Sequence, residues 1–401
     1  MITYLLKLGE LTLKGGNRRL FERLLRRNLE ARVRLTGARV ETANGRFYLH
    51  SPEGTEIQVE DALDHLLGIS GWAKTRVCPK TVPEVLRSCV EEGQRLFEKG
   101  IPSFKIEARR TDKSFPLDSY GIAREGGHAV LEAVPGLRVD VHRPGGVIEV
   151  EIREKAYIYG FGRQGRRGLP VGSAGRGLLL LSGGIDSPAA GYLLASRGML
   201  IEAVYFHAYP YTSEEARLKV VKLAEIVGRY SLGVRLHTLN FTPIQQRIKA
   251  EAPLEWHTVL LRMAMMDAAE KLAMRRRCSC LITGESLSQV ASQTIENIAC
   301  TESRVKLPVL RPLIGMDKED IIRIAGTIDT YETSILPYAD CCSLFSPEHP
   351  IIRGNREEAL RLYEGLNPEE SLEQALQEGR TENCSFPAET RKAGLEREAS
   401  L

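Results

Sequence analysis

The chain has 401 residues, with 55 Lys and Arg against 52 Asp and Glu, and eight Cys. Hydrophobic residues make up 43% and charged residues 27%, ordinary globular values that exclude collagen, a long disordered chain and a disulfide scaffold. The longest aliphatic run, residues 178–181, is far shorter than the ~20 apolar residues of a membrane-spanning helix. No secretory signal pattern opens the sequence, so we expect a cytosolic protein without membrane contact, whose cysteines are reduced, metal-binding or catalytic.

The net charge of +3 conceals an uneven distribution along the chain. Residues 1–177 carry 30 basic and 22 acidic side chains, whereas residues 178–401 carry 25 and 30. A basic front half favours nucleic acid as a partner of that half. On this observation alone, chance segregation of charge is an equal alternative.

The first 56 residues predict a small α+β domain. Residues 2–8 and 46–50 predict strands, and residues 17–35 predict an amphipathic helix with Asn17 as its N-cap. Leu20, Phe21, Leu24, Leu25 and Leu29 recur at helical spacing, and the opposite arc carries arginines: Arg18, Arg19, Arg23, Arg26 and Arg27. Because a guanidinium matches phosphate oxygens, this arc is a candidate phosphate-binding face; a solvated basic face is the alternative.

Residues 57–163 predict a second α+β domain. Helices are expected over 61–67 and 82–99 and strands over 104–109 and 147–152, with a helix over 120–133 interrupted by Gly126 and Gly127. Seven glycines lie between Gly160 and Gly177 without periodic apolar residues, so residues 164–177 predict a flexible Gly/Arg-rich linker.

Over residues 178–388 the sequence pattern predicts strands that alternate with long helices. Strands are expected over 177–181, 201–206, 234–239 and 280–283, and helices over 187–197, 213–229, 256–277 and 288–298. This order predicts an α/β, Rossmann-like domain with a parallel sheet covered on both faces and a ligand beyond the carboxyl ends of its strands. Residues 389–401 are mostly polar and predict a disordered tail.

The strongest motif is SGGIDS at residues 182–187, directly after a predicted strand and opening a helix. Gly183 and Gly184 let the backbone approach an anion, and the helix N-terminus supplies N–H groups. Ser182 and Ser187 add hydroxyls, and Asp186 is suited to a magnesium ion that bridges phosphates. Neither a Walker A loop nor a dinucleotide fingerprint is present here. An ordinary tight turn is the minor alternative.

This loop resembles the pyrophosphate (PP) loop of the N-type ATP pyrophosphatases. Three further segments resemble the tRNA 4-thiouridine synthetase (tRNA uracil sulfurtransferase) family: GESLSQVASQT (284–294), LRPLIGMDK (310–318) and DCCSLFSP (340–347). KLGELTLKG (7–15) resembles that family's N-terminal ferredoxin-like domain, and FKIEARRTDK (104–113) and VDVHRPGG (139–146) resemble its RNA-binding THUMP domain. The resemblance covers roughly residues 2–350.

The resemblance implies ATP-dependent transfer of sulfur to position 4 of uridine 8 in tRNA, through an adenylated uracil. It assigns Asp186 to magnesium or pyrophosphate and Lys318 to charge stabilisation at the α-phosphate. It places around the nucleotide Leu180, Leu181, Ser182, Gly183, Gly184, Ser187, Tyr205, Phe206, Arg262, Gly284 and Gln293. As alternatives to a role in nucleotide binding, the two leucines could be ordinary core residues and Arg262 an ordinary surface cation.

The resemblance also implies a catalytic cysteine at Cys342, which would collect a persulfide from a cysteine desulfurase. Cys341 or Cys384 would then resolve the persulfide. In a second hypothesis, Cys278, Cys280 and Cys342 ligate an iron–sulfur cluster. We favour the persulfide because Cys278 and Cys280 lack the usual Cys-x-x-Cys spacing.

Longer members of the family carry a rhodanese domain, for which this sequence has no room, so we do not expect a rhodanese-linked sulfur supply for thiamine. Partners implied by the resemblance are tRNA, a cysteine desulfurase and a second copy of the chain in a homodimer. Two rival classes are a ligase that uses ammonia, which would need no catalytic cysteine, and a non-catalytic THUMP protein that only binds RNA.

Overall fold

The computed structural model describes residues 1–13, 15–43, 45–338 and 347–384. The chain divides into two compact units, Met1–Gly168 and Leu169–Leu401. Within the described ranges, no helix combines the length and the apolar character needed to cross a bilayer.

Nine strands of the first unit form one sheet in the order β2-β3-β1-β4-β8-β7-β5-β6, with β9 paired to β4. The strands are β1 Ile2–Leu8, β2 Arg39–Ala43, β3 Arg46–Ser51, β4 Ile69–Cys78, β5 Ser103–Arg110, β6 Arg138–Val139, β7 Gly146–Ile152, β8 Ala156–Tyr159 and β9 Gly162–Gln164. The helices are α1 Arg18–Val33, α2 Glu56–Asp64, α3 Val82–Glu98 and α4 Ser119–Ala133.

Two apolar cores lie in this unit. One core joins β1, β3 and α1 to Val59, Leu63 and Trp72, so the first module continues well past the predicted boundary at residue 56. The other core packs α3 and α4 against β5, β7 and β8.

Three expectations for the helices of this unit are wrong. Asn17 does not cap α1 through its side chain, because its backbone already lies in the helical region after a turn of 3-10 helix at Gly15–Asn17. Leu20 lies 48% exposed outside the apolar stripe, in which Leu25, Leu29 and Val33 are buried and Phe21 packs against the same core. Helix α4 is continuous through its glycines. Gly126 allows close packing within the unit, because a Cβ there would lie 2.8 Å from Ile106 Cδ1.

The second unit confirms the predicted parallel-sheet domain. Its sheet has the order β14-β13-β10-β11-β12-β15, in which β15 alone is antiparallel among the described strands. The strands are β10 Arg176–Leu180, β11 Leu200–His207, β12 Val234–Asn240, β13 Cys280–Ile282, β14 Val309–Leu310 and β15 Arg380–Cys384.

Helices cover both faces of this sheet. Leu178 and Val204 pack with α8 in the main core, whereas a Cβ at Gly191 of α5 would lie 2.7 Å from Leu179 on the other face. The helices are α5 Asp186–Ser196, α6 Glu214–Ser231, α7 Thr242–Glu251, α8 His257–Arg275, α9 Ile295–Thr301, α10 Lys318–Thr327, α11 Tyr331–Ser334, α12 Arg356–Gly365 and α13 Glu369–Glu378.

Two segments of the chain differ from the sequence prediction. Residues 288–298 form a turn of 3-10 helix, Ala291–Gln293, followed by α9, because the Thr294 side chain caps α9 by accepting from the Asn297 N–H at 3.3 Å. The expected flexible linker 164–177 is held by backbone hydrogen bonds. The Arg167 N–H donates to Ile69 O and the Leu169 N–H donates to Ser196 O, each at 2.8 Å.

The packing of α3 on α4 depends on the missing Cβ of Gly93. An ideal Cβ there would lie 2.5 Å from Cγ1 of Val130, whose branched side chain has little freedom to move away. We expect Gly93→Ala to destabilise this region by about 1–3 kcal/mol, measured by hydrogen exchange of the α3 and α4 amides. Gly127→Ala is the matched control, because no atom lies within 4 Å of its added Cβ. Equal amide protection in both variants would contradict the packing argument.

Candidate functional site

A cavity of about 380 Å³ lies at the carboxyl ends of β10, β11 and β13. This is the edge at which parallel sheets bind ligands. Residues predicted for the nucleotide site that line it are Leu180, Leu181, Ser182, Asp186, Ser187, Tyr205, Phe206, Arg262, Gly284 and Gln293. Six further residues line the cavity and were not among the predicted site residues: Met265, Met266, Thr283, Glu285, Gln289 and Val290.

The loop between β10 and α5 is ordered by its own hydroxyl groups. The Ser182 N–H donates to Ser187 Oγ at 2.8 Å, and the Gly184 N–H donates to Ser182 Oγ at 3.2 Å. Gly183 and Gly184 belong to this loop but are not among the lining residues. Because α5 begins at Asp186, the loop presents the N-terminus of a helix to the cavity, which is an arrangement that binds anions.

Gly284 occupies a position that excludes every side chain. A Cβ there would lie 2.7 Å from Ser187 N and 2.8 Å from the Asp186 carbonyl carbon. The chain after β13 therefore packs directly against the backbone of the loop, and this contact fixes one wall of the cavity.

Asp186 links three segments around the cavity. Lys318 Nζ donates to Asp186 Oδ1 at 2.6 Å, and Gln289 Nε2 donates to Asp186 Oδ2 at 3.1 Å. Lys318 is the first residue of α10, whose N-cap Asp317 accepts from the Asp320 N–H at 2.9 Å. The cap sets where the helix starts, and so brings the ammonium group predicted for phosphate chemistry to the mouth of the loop.

A buried charge cluster also contributes to the lining of the cavity. The Glu285 carboxylate, 3% exposed, pairs with Arg262 and accepts from Arg311 Nε at 2.7 Å and Thr283 Oγ1 at 2.8 Å. Burial alone would raise the pKa of Glu285, but the charges of Arg262 and Arg311 outweigh burial and hold this pKa below its usual value. Arg262 is therefore part of the wall rather than a surface cation. Glu285 follows Gly284 at a strand end, but its pairing with Arg262 and Arg311, which are distant in sequence, leaves no signal in the residues around it.

The end of the cavity nearest α8 is apolar. Tyr205 and Phe206 of β11 are 2% and 5% exposed, and Met265 and Met266 extend from α8 beside them. A planar aromatic ring suits such a wall, whereas the serine loop and Lys318 suit phosphates. Together they form a site that fits a nucleoside triphosphate.

Four of the cysteines considered for sulfur or cluster chemistry form two pairs along the chain. Cys341 and Cys342 lie outside the described residues. Cys278 and Cys280 are buried next to the start of β13, and burial raises the pKa of their thiols to about 12 and about 11. Because the cavity lies beyond the other end of β13, neither cysteine lines it. Among the described residues, no three His, Cys, Asp or Glu side chains are grouped to hold a metal ion.

Cys384 is also far from the cavity. It is fully buried in β15, opposite Val234 at the amino end of β12. The cavity lies at the carboxyl ends of the parallel strands, so Cys384 cannot reach it in this conformation.

In the first unit, the basic face of α1 is partly neutralised. Arg18 pairs with Glu22 and Arg26 pairs with Glu30, at 2.7 Å and 2.8 Å. Arg19, Arg23 and Arg27 are exposed and form no ion pair with another described residue. The cations that remain for a phosphate backbone are thus fewer than the sequence pattern indicates.

Family models match three consecutive parts of the chain. They are the ThiI ferredoxin-like domain over residues 3–73, the THUMP domain over residues 79–160, and the thiamine biosynthesis protein (ThiI) model over residues 172–367. The order confirms the predicted fold class, an α+β front region with ferredoxin-like and THUMP modules followed by an α/β domain.

Two relatives and one solved structure are similar over nearly the whole chain. The "Probable tRNA sulfurtransferase" of Treponema pallidum (strain Nichols) is 50% identical over 376 residues, 93% of this chain and 94% of the relative. The protein of the same name from Caldanaerobacter subterraneus subsp. tengcongensis is 44% identical over 364 residues, 90% of this chain and 95% of the relative.

The crystal structure of a 4-thiouridine synthetase–RNA complex with bound ATP has a TM-score of 0.89 and 36% sequence identity to this chain. The match covers 96% of this chain and 99% of that one. The similarity in sequence and structure thus extends through both units. The chain belongs to the family of the tRNA sulfurtransferases.

Proposed function

We propose that this chain is an ATP-dependent tRNA sulfurtransferase that forms 4-thiouridine at uridine 8 through an adenylated uracil. The observation that carries the proposal is one cavity lined by the serine loop, by Asp186, whose carboxylate Lys318 contacts, and by an apolar wall for a base. The solved relative that binds ATP and RNA supports the same assignment.

ATP would lie with its adenine against Tyr205 and Phe206 and its β- and γ-phosphates on the loop from Ser182 to Ser187. The free N–H groups at the start of α5 would hold the phosphates that leave as pyrophosphate. Lys318, 43% exposed and within reach of the loop, would then lie beside the α-phosphate. Charge that develops at this phosphate would be stabilised by the ammonium group.

Asp186 fits the role of a magnesium ligand. Magnesium in proteins is commonly held by one or two carboxylates together with phosphate oxygens, and Asp186 is the carboxylate at the loop. Gln289 and Lys318 orient its two oxygens. When bound, the ion would neutralise charge on the phosphates. The residues of the chain orient the triphosphate and the substrate base for in-line attack.

Two successive nucleophilic displacements, one at the α-phosphorus and one at C4, replace the uracil oxygen by sulfur. Uracil O4 attacks the α-phosphorus of ATP, the bond to pyrophosphate breaks, and O4 becomes part of a good leaving group. The terminal sulfur of a persulfide on Cys342 then attacks C4, and AMP leaves with the former O4. A second thiol, Cys341, attacks the Cys342 sulfur, which releases 4-thiouridine and leaves a disulfide. An external dithiol reduces the disulfide, and a cysteine desulfurase renews the persulfide.

The first test removes the two charged groups at the loop. We expect Asp186→Ala and Lys318→Ala each to lower the thiolation rate by about a hundredfold or more, because each removes stabilisation of the phosphate charge. The affinity for tRNA stays nearly unchanged, since neither residue belongs to the RNA-binding unit. Nucleoside mass spectrometry after incubation with unmodified tRNA, ATP and a sulfur donor measures the product. Lys222→Ala, at a residue 61% exposed on α6, is the control. Substantial activity in either site variant would refute the assignment.

The second test concerns tRNA binding by α1. We expect Arg23→Glu combined with Arg27→Glu to weaken tRNA binding and to reduce the slope of log K against log salt by roughly one unit per lost phosphate contact. Filter binding across a series of salt concentrations measures both effects. Arg361→Glu, at a residue 75% exposed in α12, reverses a charge in the other unit and serves as the control. An unchanged salt slope in the double variant would eliminate α1 as a phosphate-binding face.

The third test separates the persulfide from an iron–sulfur cluster. We expect Cys342→Ser to abolish thiolation and Cys278→Ser and Cys280→Ser to retain it, because the latter two thiols lie away from the cavity. Protein purified without oxygen should contain no stoichiometric iron and show no charge-transfer absorption in the visible range. Iron that disappears in the Cys278→Ser variant together with activity would overturn the persulfide mechanism.

A further inference from the structure

Two tyrosines of the catalytic unit expose their rings beside the cavity. Tyr209 and Tyr211 follow β11 and are 67% and 52% exposed, although large aromatic side chains are ordinarily buried. The mechanism described above gives them no role.

The segment that carries them is held firmly. The Thr212 N–H donates to Ala208 O at 2.9 Å, and the Ala208 N–H donates to Thr212 Oγ1 at 3.0 Å. Thr242 Oγ1 donates to the carbonyl oxygen of Tyr209 at 2.6 Å, which ties the turn to the start of α7. Gln246 Nε2 donates to the Tyr211 hydroxyl at 3.3 Å. Hydrogen bonds hold both ends of the turn and one hydroxyl. The two tyrosine side chains are therefore already ordered, and little of their conformational entropy is lost when a ligand binds.

A series of rings connects this turn to the cavity. The Tyr205 ring, which lines the cavity, lies 5.8 Å from the His207 ring, and the His207 ring lies 6.4 Å from the Tyr209 ring. These distances join the ring centroids. Tyr209 is therefore the exposed end of a series of rings whose inner members, Tyr205 and His207, are buried and lead to the proposed adenine pocket.

The segment that leads to Cys342 is anchored close to the same turn. Lys219, the sixth residue of α6, donates from Nζ to Leu336 O at 2.8 Å. Ser334 Oγ donates to Gly184 O in the loop at 3.3 Å. The helix that follows the turn at 208–212 thus contacts the described residues that precede Cys342, and those residues also contact the loop of the nucleotide cavity.

The chemistry of the proposed reaction identifies what these rings bind. The O4 atom of a uracil stacked within folded tRNA cannot reach an α-phosphate in a cavity, so the base must leave its stack. An aromatic side chain compensates for the lost stacking, and tyrosine does so without requiring a particular base.

We propose that Tyr209 and Tyr211 form a stacking platform for the unstacked RNA segment that carries the target uridine. This inference rests on the proposed function and adds to it a substrate-binding surface outside the cavity. The platform positions the extruded nucleotides; the groups that act on ATP remain those of the loop and Lys318.

The test compares variants that remove and retain the rings. We expect the double variant Tyr209→Ala with Tyr211→Ala to lose about tenfold in kcat/KM for tRNA, with the KM for ATP within about twofold of wild type. The double variant with Phe at both positions retains near wild-type kinetics. Met274→Ala removes an equally exposed apolar side chain, 68% exposed in the last turn of α8, and leaves the kinetics unchanged.

A second measurement does not depend on thiolation. In a tRNA with 2-aminopurine next to the target uridine, binding of wild type or of the Phe variant quenches the fluorescence, and binding of the Ala variant does not. Equal kinetics and equal quenching in the Ala variant overturn the platform. A change of oligomeric state in the Ala variant with unchanged tRNA kinetics also overturns it, since the rings would then face a second copy. If wild type forms no 4-thiouridine, the proposed function fails, and the quenching measurement alone decides on the platform.

Discussion

The buried carboxylate of Glu285 is the contact on which the nucleotide cavity depends. It holds Arg262 of α8 and Arg311 after β14 against the end of β13, so three elements distant in sequence meet at one charge. Removing it would take a buried carboxylate away from two largely buried guanidinium groups, of which Arg311 keeps its ion pair with Glu302, and this costs more than losing a surface ion pair. Next to it, Gly284 allows the same strand end to pack against the loop backbone. The geometry of the phosphate site therefore follows from two consecutive residues.

Much of the candidate site could be predicted because strand ends in a parallel sheet converge. Ser182, Tyr205 and Gly284 each follow or end a predicted strand, and the sheet places all three on one cavity. Glu285 and Gln289 could not be found in this way. Their roles depend on pairing with Arg311 and Asp186, and such long-range contacts leave no periodic signal in the sequence.

The errors have local physical causes. The expected cap at Asn17 and the expected break at Gly126 were read from residue propensities, which packing and neighbouring turns override. Strand β15 was not predicted, since the sequence RTENC lacks apolar alternation and forms an edge strand. The hypothesis that Cys278 and Cys280 ligate a cluster at the site overlooked strand direction, because Cys280 begins β13, Cys278 precedes it, and the opposite end of β13 adjoins the cavity.

In the proposed mechanism, the uracil O4 bonds to the α-phosphorus of ATP in the cavity before sulfur attacks C4. The most direct measurement uses tRNA labelled with oxygen-18 at O4 of uridine 8 and follows the label by mass spectrometry of the nucleotide product. The account predicts that the AMP carries the label, because O4 is bonded to the α-phosphorus when AMP leaves. Unlabelled AMP with the label in water, formed alongside 4-thiouridine, would contradict it.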